Sequence, residues 1–298
     1  MRSLLSISDV SDDEVRRILE RAHQLRTHEA GPVLRGQMIG LAFLSPSLRT
    51  RLGFFVASSR LGATAIHLDA LRYSKDMSVE ESLGDTIRTA TGMLDTLIVR
   101  SPSVLGRDLM SAQACCPVIN AGDGSHEHPT QALIDLFSIN ELRGPVESLH
   151  VVMVGDASMR AARSLISLFA RFPPASLTVV HPRGRGPGSV GADVRLSSLE
   201  GEGLSVAGAD VVYMIGLPPG GPGGELGGEA RAKFILGAEE LSELDPRSIV
   251  IAPLPIIDEI SPEARLDTRV KMFEASDLSV YVRMAILELL SVDQWSAQ

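Results

Sequence analysis

The sequence predicts an α/β protein of two domains, each with a central parallel sheet flanked by helices. Three observations carry that prediction. Short apolar runs alternate with stretches of helical apolar spacing along nearly all of the 298 residues, a rhythm that implies parallel strands covered on both faces. The length is enough to bury a large core and suits two domains better than one. Polar turns follow several of the apolar runs, and the carboxyl edge of an α/β sheet is where binding groups are presented.

Each element has its own local reason. Ser11-Asp-Asp-Glu14 is a capping-box pattern, and Val15, Ile18, Leu19, Ala22 and Leu25 follow on one helical face. Next come a strand at 38–43, a helix from about Thr50, a strand at 63–68 and a helix from about Glu80. A strand at 96–99, a short helix near 106–113 and a strand at 117–120 complete the first series. Pro129 then opens a helix, because proline at the first helical position needs no N–H and presets φ. Its Ala132, Leu133, Leu136 and Ile139 face inward, and it bridges to a second unit. His150–Gly155 starts another series, with strands at 150–154, 176–180, 210–214 and 248–252 and a helix at 159–171. Val280, Met284, Leu287 and Leu290 give the last segment, Asp277 to Leu290, helical spacing.

Composition narrows the function. A formal charge of −9 argues against nucleic acid, which needs clustered Lys and Arg. It leaves room for an anionic ligand, since a local arginine cluster sets the field within a cleft. Aromatics at 4% leave little for base- or sugar-stacking platforms. The two cysteines, Cys115 and Cys116, are adjacent and build neither a disulfide framework nor a metal site. The histidines lack metal-binding spacing, so no metal is expected. No signal-peptide run opens the chain and no apolar segment approaches the ~20 residues of a membrane span. A cytoplasmic setting without a membrane partner is the expectation.

Three strand ends carry the chemistry. Strand 38–43 runs into Ser45-Pro-Ser-Leu-Arg-Thr-Arg51, where hydroxyls and two guanidinium groups can grip phosphate oxygens. Arg100 directly follows the apolar run Thr96–Val99. The third is Asn120-Ala-Gly-Asp-Gly followed by His126-Glu-His-Pro-Thr-Gln131. There His128 sits at the positive end of the Pro129 helix, a place that suits an oxygen that is or becomes anionic. The bland alternatives are a surface charge for each arginine and a loop-bonding histidine at a helix cap; three polar strand ends together outweigh them. Val154-Gly-Asp156 also follows a strand and opens a helix, but the glycine fingerprint of a dinucleotide site is missing, so no nicotinamide or flavin cofactor is expected.

Ser47-Leu-Arg-Thr-Arg51, Arg100 and the Asn120…His128-Pro-Thr-Gln131…Asp135 run resemble the signatures of the aspartate/ornithine transcarbamoylase family. Glu81-Ser-Leu-Gly-Asp85-Thr86, Val154-Gly-Asp156 with Arg160, and Ala252-Pro-Leu-Pro255 with Asp258-Glu259-Ile260 agree. The likeness runs through nearly the whole chain and is nearest the aspartate branch. It implies a carbamoyl-phosphate-binding domain of residues 1–137 plus 277–298, an acceptor-binding domain of 138–276, and a C-terminal helix returning to the first domain. The partners implied are carbamoyl phosphate and a small amine acceptor, with no cofactor. By the same resemblance Ser47, Arg49, Thr50 and the Leu48 amide grip phosphate. Arg100, His128 and Thr50 face the carbonyl oxygen, and Gln131 with the carbonyls near Pro253-Leu254 accepts from the carbamoyl NH2. The Leu254–Pro255 bond is expected to be cis. A homotrimer with sites at subunit interfaces is implied as well. Arg51 either binds phosphate or pairs with an acid and braces the loop. Asp85 and Asp135 read as capping or supporting acids, and Thr86 as structural.

The acceptor half departs from the pattern. A cross-subunit lysine expected just before Glu81 is replaced by Ser78 and Val79, leaving Lys75 as the nearest candidate. The loop Gly216 to Gly228 holds no basic residue, and Ala252 and Ile256 stand where a histidine and an arginine are usual. Arg160 alone remains for an acceptor carboxylate, with His181-Pro-Arg183-Gly-Arg185 as a possible supplement. Losing an arginine partner costs a buried carboxylate several kcal/mol. The residues therefore predict carbamoyl transfer to an amino acid or amine other than aspartate. The alternatives are the aspartate carbamoyltransferase of pyrimidine biosynthesis and a non-catalytic homologue serving as an assembly partner.

Overall fold

The computed structural model describes residues 3–68, 82–106, 114–188, 196–200, 204–218 and 226–291. Two compact units emerge: Met1–Leu133 with Leu278–Gln298, and Ile134–Asp277.

The first unit begins with α1, Asp12–Thr27. Its predicted capping box is present: the Ser11 amide donates to Glu14 at 2.8 Å and the Glu14 amide donates to the Ser11 hydroxyl. Val15, Ile18, Ala22 and Leu25 are buried, as their spacing requires. Around α1 the chain lays down β1 (Met38–Phe43), α2 (Leu48–Arg60), β2 (Thr64–His67), α3 (Leu83–Thr91), β3 (Thr96–Ser101) and β4 (Val118–Asp123). The strands are parallel in the order β2-β1-β3-β4. Leu4 adds an isolated parallel bridge to Ile119, its amide donating to the Val118 carbonyl and its carbonyl accepting from Asn120. Leu97, Val99, Val118, Ala42 and Ile87 pack into one apolar core.

Helix α4, Pro129–Leu142, starts at the proline the sequence singled out and carries the chain from the first unit to the second. Residues 132–139 are all buried, Asp135 and Ser138 among them, so this helix is covered around its whole circumference rather than along a stripe.

The second unit contains β5 (His150–Gly155), α5 (Arg160–Phe169), β6 (Ser176–His181), β7 (Leu196–Glu200), β8 (Val211–Gly216), α6 (Gly228–Ala232), α7 (Ala238–Ser242) and β9 (Ile249–Ile251). Its sheet is parallel throughout, in the order β7-β6-β5-β8-β9. Both strands flanking β5 sit against a Val-rich run, and Val152, Val154, Val212, Met214 and Val250 form the centre of the core. The chain ends with α8, Met272–Ser291. From Leu278 onward α8 belongs to the first unit, where Arg21 of α1 pairs with Glu288 at 2.6 Å.

Several boundaries differ from the sequence reading. Strand β7 was not anticipated; its run Leu196-Ser-Ser-Leu-Glu200 carries only two apolar residues and offers no period-2 signal strong enough to read. Helices α6 and α7 were likewise missed, each being only five residues long. Helix α8 starts at Met272 instead of Asp277, and β3 extends through Arg100 to Ser101. The helix expected near 106–113 and the helix start at Glu80 lie outside the described residues, apart from Gly106. No helix among the described residues is long and apolar enough to cross a membrane.

Candidate active site

The first unit gathers polar groups at one sheet edge because its strands are parallel: every strand delivers its following turn to the same side. Phe43 of β1 is in register with Arg100 of β3, and Ser101 with Asp123 of β4. The Leu44 amide donates to the Arg100 carbonyl, and the Gly124 amide to the Ser101 carbonyl. The three turns singled out in the sequence are therefore neighbours.

After β1, Ser47 is the N-cap of α2, yet its side chain caps no backbone amide. Its hydroxyl donates instead to Thr50 Oγ1 at 3.0 Å. The first amides of a helix have no intrahelical partner, so this terminus presents N–H donors with the positive end of the helix dipole. Thr50 is buried, whereas Leu48 and Arg49 are exposed. Desolvation lowers the Arg49 pKa from its ordinary value, with no acid among the described residues contributing to that shift. A guanidinium at the N-terminal turn of a helix is an arrangement suited to an anion.

Arg100 is half-buried at the end of β3. Its Nη1 donates to the Ala121 carbonyl at 2.9 Å and lies 3.4 Å from His128 Nε2. Guanidinium has no lone pair to offer, so Nε2 must accept and the ring proton belongs on Nδ1. Nδ1 in turn faces the buried Thr130 hydroxyl at 3.2 Å. The His128 ring is fixed on both sides.

A buried network holds that turn. Asp123 accepts from the Leu105 amide, the Glu127 amide and Asn120 Nδ2. The Asn120 side chain also ties Leu5 O and the Gly122 amide. Glu127 accepts from the Ser6 hydroxyl at 2.7 Å and the Ile7 amide at 3.0 Å. Gln131, one turn into α4, is half-buried and its amide donates to the His128 carbonyl. The structure thus joins Ser47 with Thr50 and Arg100 with His128, and sets Leu48, Arg49 and Gln131 on the same turns. Lys75 lies outside the described residues. Among the described residues no group of three or more His, Cys, Asp or Glu is placed to hold a metal.

Asp85 follows its cap position: it accepts from Ser82, and Ser82 caps its amide. Thr86 donates to the Ser82 carbonyl. In the second unit Asp135 accepts from the buried Tyr213 hydroxyl at 2.7 Å, and burial, followed by the Asp135 charge, raises the phenol well above its usual range.

The second unit presents its own edge. Gly155 of β5 and Gly216 of β8 are paired, and a side chain at Gly155 would run into the Gly216 backbone. Arg160 is the first residue of α5, whose N-cap Met159 supplies no side-chain cap. Pro253 and Leu254 follow β9; Leu254 has φ of 50° and its bond to Pro255 is cis, as the resemblance implied. Left-handed backbone at a bulky residue is costly and concentrates at functional sites. Of the cations sought at His181–Arg185, Arg183 is exposed and Arg185 is engaged. Arg185 is buried against Asp156 at 3.2 Å, and the Asp156 carboxylate also accepts from the Ser158 amide. His181 Nδ1 faces the Pro182 carbonyl.

One residue escaped the sequence reading. Arg231 on α6 pairs with Asp258 through two donors, Nε at 2.6 Å and Nη2, while its Nη1 donates to the Leu217 carbonyl just past β8. It lies fifteen positions beyond Gly216 by residue number, outside the loop where a cation was sought.

The comparisons bear on both halves. A model of the aspartate/ornithine carbamoyltransferase carbamoyl-P binding domain matches residues 2–141. The aspartate carbamoyltransferase catalytic subunit of Methanococcus vannielii is 33% identical over 301 residues, covering 98% of this chain and 99% of that protein. Among solved structures, the catalytic subunit of M. jannaschii aspartate transcarbamoylase superposes with a TM-score of 0.84 at 29% identity, covering all of both chains. Trypanosoma cruzi aspartate transcarbamoylase bound to carbamoyl aspartate and phosphate gives 0.82 at 27% identity, over 98% of this chain and 95% of that one. Full-length relatives named for aspartate overturn the expectation of a different acceptor. That expectation rested on counting cations along one loop, a local measure that misses cations the fold brings in from elsewhere, as it brings Arg231 to the Leu217 carbonyl. The chain belongs to the aspartate/ornithine carbamoyltransferase family, on its aspartate branch.

Proposed function

We propose that this chain is an aspartate carbamoyltransferase. The amine of aspartate attacks the carbonyl carbon of carbamoyl phosphate, the bond from that carbon to the phosphate oxygen breaks, and the amine proton leaves with phosphate. The product is N-carbamoyl aspartate. The observation that carries this reading is the Arg100–His128 contact at a sheet edge shared with the open N-terminus of α2. The Arg100 guanidinium, held by that contact near the positive end of α4, suits a carbonyl oxygen whose charge grows as the tetrahedral centre forms.

In this reading Ser47, Arg49, Thr50 and the Leu48 amide hold the phosphate. Arg100, His128 and Thr50 polarise the carbonyl, and Gln131 with the carbonyls of Pro253 and Leu254 fixes the carbamoyl NH2. Arg160 takes one acceptor carboxylate. Positioning and electrostatics supply the rate, without a covalent intermediate. Lys75, the candidate nearest the position where the family has a lysine lent by a neighbouring subunit, takes that role within a cytoplasmic homotrimer; the family resemblance supports the trimer with sites at subunit interfaces.

A ureido-product assay with carbamoyl phosphate and a panel of amines tests the proposal. Turnover of aspartate well above ornithine and simple amines is expected. Turnover of another amine with none of aspartate overturns it, and absence of carbamoyl phosphate binding in calorimetry at millimolar ligand overturns any catalytic reading.

A further inference from the structure

The turn after β5 leads into Arg160, the first residue of α5, and the N-cap Met159 supplies no side chain to close that helix. How residues 156–159 are held therefore sets where Arg160 points. Asp156 does most of the holding. Its amide donates to the Gly216 carbonyl of β8 at 2.9 Å, and its carbonyl accepts from the Met159 amide at 3.1 Å. One carboxylate oxygen accepts from the Ser158 amide and hydroxyl. The other accepts from Arg185 Nη1 at 3.2 Å. Arg185 grips the same turn a second time through its backbone, its carbonyl accepting from the Ala157 amide at 3.0 Å.

Arg185 reaches this place from the segment after β6, the strand beside β5. That segment is itself closed: the Arg185 amide donates to the Pro182 carbonyl, and a side chain at Gly186 would come within 3.1 Å of the His181 ring. The Asp156 and Arg185 side chains are 0% and 3% exposed. Desolvating both charges is costly, and a buried ion pair is often no more stable than apolar residues of similar volume. Stability alone is thus a weak reason for a guanidinium here. Orientation is a better one, because a rigid, charged donor leaves the carboxylate that shapes the turn a single direction. We propose that Arg185 is a positioning residue for the acceptor site. By fixing Asp156 and the Ala157 amide it sets the start of α5, and so directs Arg160 at an acceptor carboxylate. This rests on the reading of the chain as an aspartate carbamoyltransferase in which Arg160 takes that carboxylate.

Steady-state kinetics separate positioning from mere bracing. Arg185→Lys keeps the charge without the planar fork. It is expected to raise the KM for aspartate about 10-fold, since a small misplacement of a binding group is costly, and to leave the KM for carbamoyl phosphate unchanged. Asp156→Asn combined with Arg185→Met leaves no uncompensated buried ion, so it protects the fold, and is expected to show the same selective rise. In an Arg160→Ala background, where aspartate binding is already weakened, Arg185→Lys is expected to add almost nothing, because it acts through Arg160. Calorimetry with succinate, a four-carbon dicarboxylate that has no amine to react, in the presence of phosphate reads the same ordering without turnover. Equal rises in both KM values, or a lowered thermal midpoint with both KM values unchanged, make Arg185 a brace of the fold and overturn the inference. So does a full 10-fold effect, about as large as in wild type, in the Arg160→Ala background. Each of these results leaves the parent reading standing, since the wild-type protein still consumes aspartate. A wild-type protein that never consumes aspartate defeats the parent reading and this inference with it.

Discussion

Arg49 and His128 are both cationic-type residues on helix N-termini, yet they differ in how firmly they are held, and so in what removing them does. Arg49 is exposed, so Arg49→Ala is expected to leave unfolding free energy within about 0.5 kcal/mol. Phosphate binding by calorimetry is expected to weaken about tenfold or more, the value of a charge-assisted hydrogen bond. His128 is buried and contacts Arg100 and Thr130. His128→Ala removes the acceptor that aims Arg100 and is expected to lower kcat about 10²–10³-fold, the usual cost of one oxyanion donor, with far less change in the KM for carbamoyl phosphate. The two adjacent cysteines give a simpler test. Burial, followed by the nearby Asp95 charge, raises the Cys116 thiol to about 12, whereas Cys115 is exposed. An alkylating reagent at pH 8 is expected to label one thiol per folded chain and two after denaturation; two in the folded state would contradict that burial.

At the scale of elements, what was legible depended on whether a local rule governed the element. Ser11 and Glu14 announce α1 because a capping box satisfies two amides reciprocally. Pro129 announces α4 for a comparable reason. The central strands are apolar throughout, since both faces are covered. Strand β7 lies at the sheet edge and has no such constraint, so its sequence stays mute. The turn after β5 depended on a partner far away in sequence: Asp156 is held by Arg185, twenty-nine positions on. Both groups are almost fully buried. Arg185→Met leaves Asp156 uncompensated and is expected to cost about 3–5 kcal/mol in urea unfolding. Adding Asp156→Asn should recover part of that loss, because the two changes are coupled.

For the molecule as a whole, the turns gathered at the edge of the first sheet were readable in the sequence, and the contacts at the edge of the second were not. Ser47–Thr50, Arg100 and His128 each lie within a few residues of their strand, so a linear motif captures them. Arg231 follows a long connection after β8 and pairs with Asp258 from the segment after β9, a relation that only the folded chain displays. The same pair sets a direction for pH. Hydrogen bonding to Arg231 lowers the Asp258 pKa, and Arg269 lowers that of Asp267 in the same way. A depressed acid contributes stability above its unfolded value, and that contribution disappears as pH falls through the folded value. Stability is therefore expected to decline below the ordinary carboxylate value of 3.8. Asp258→Asn with Asp267→Asn should flatten that decline in acid titrations followed by circular dichroism; an unchanged slope would show that other carboxylates govern it.

Leu4 lies alongside β4 and occupies backbone groups that would otherwise face outward. Trimming the first five residues would strip that cover and expose a ready template for stray chains to zip onto. Light scattering on such a truncated protein should reveal clumping with rising concentration, and the same trimming would untether Asn120, whose side-chain amide holds the Leu5 carbonyl. The start of this polypeptide, easily taken for a convenient place to cut or graft, doubles as a guard against self-adhesion.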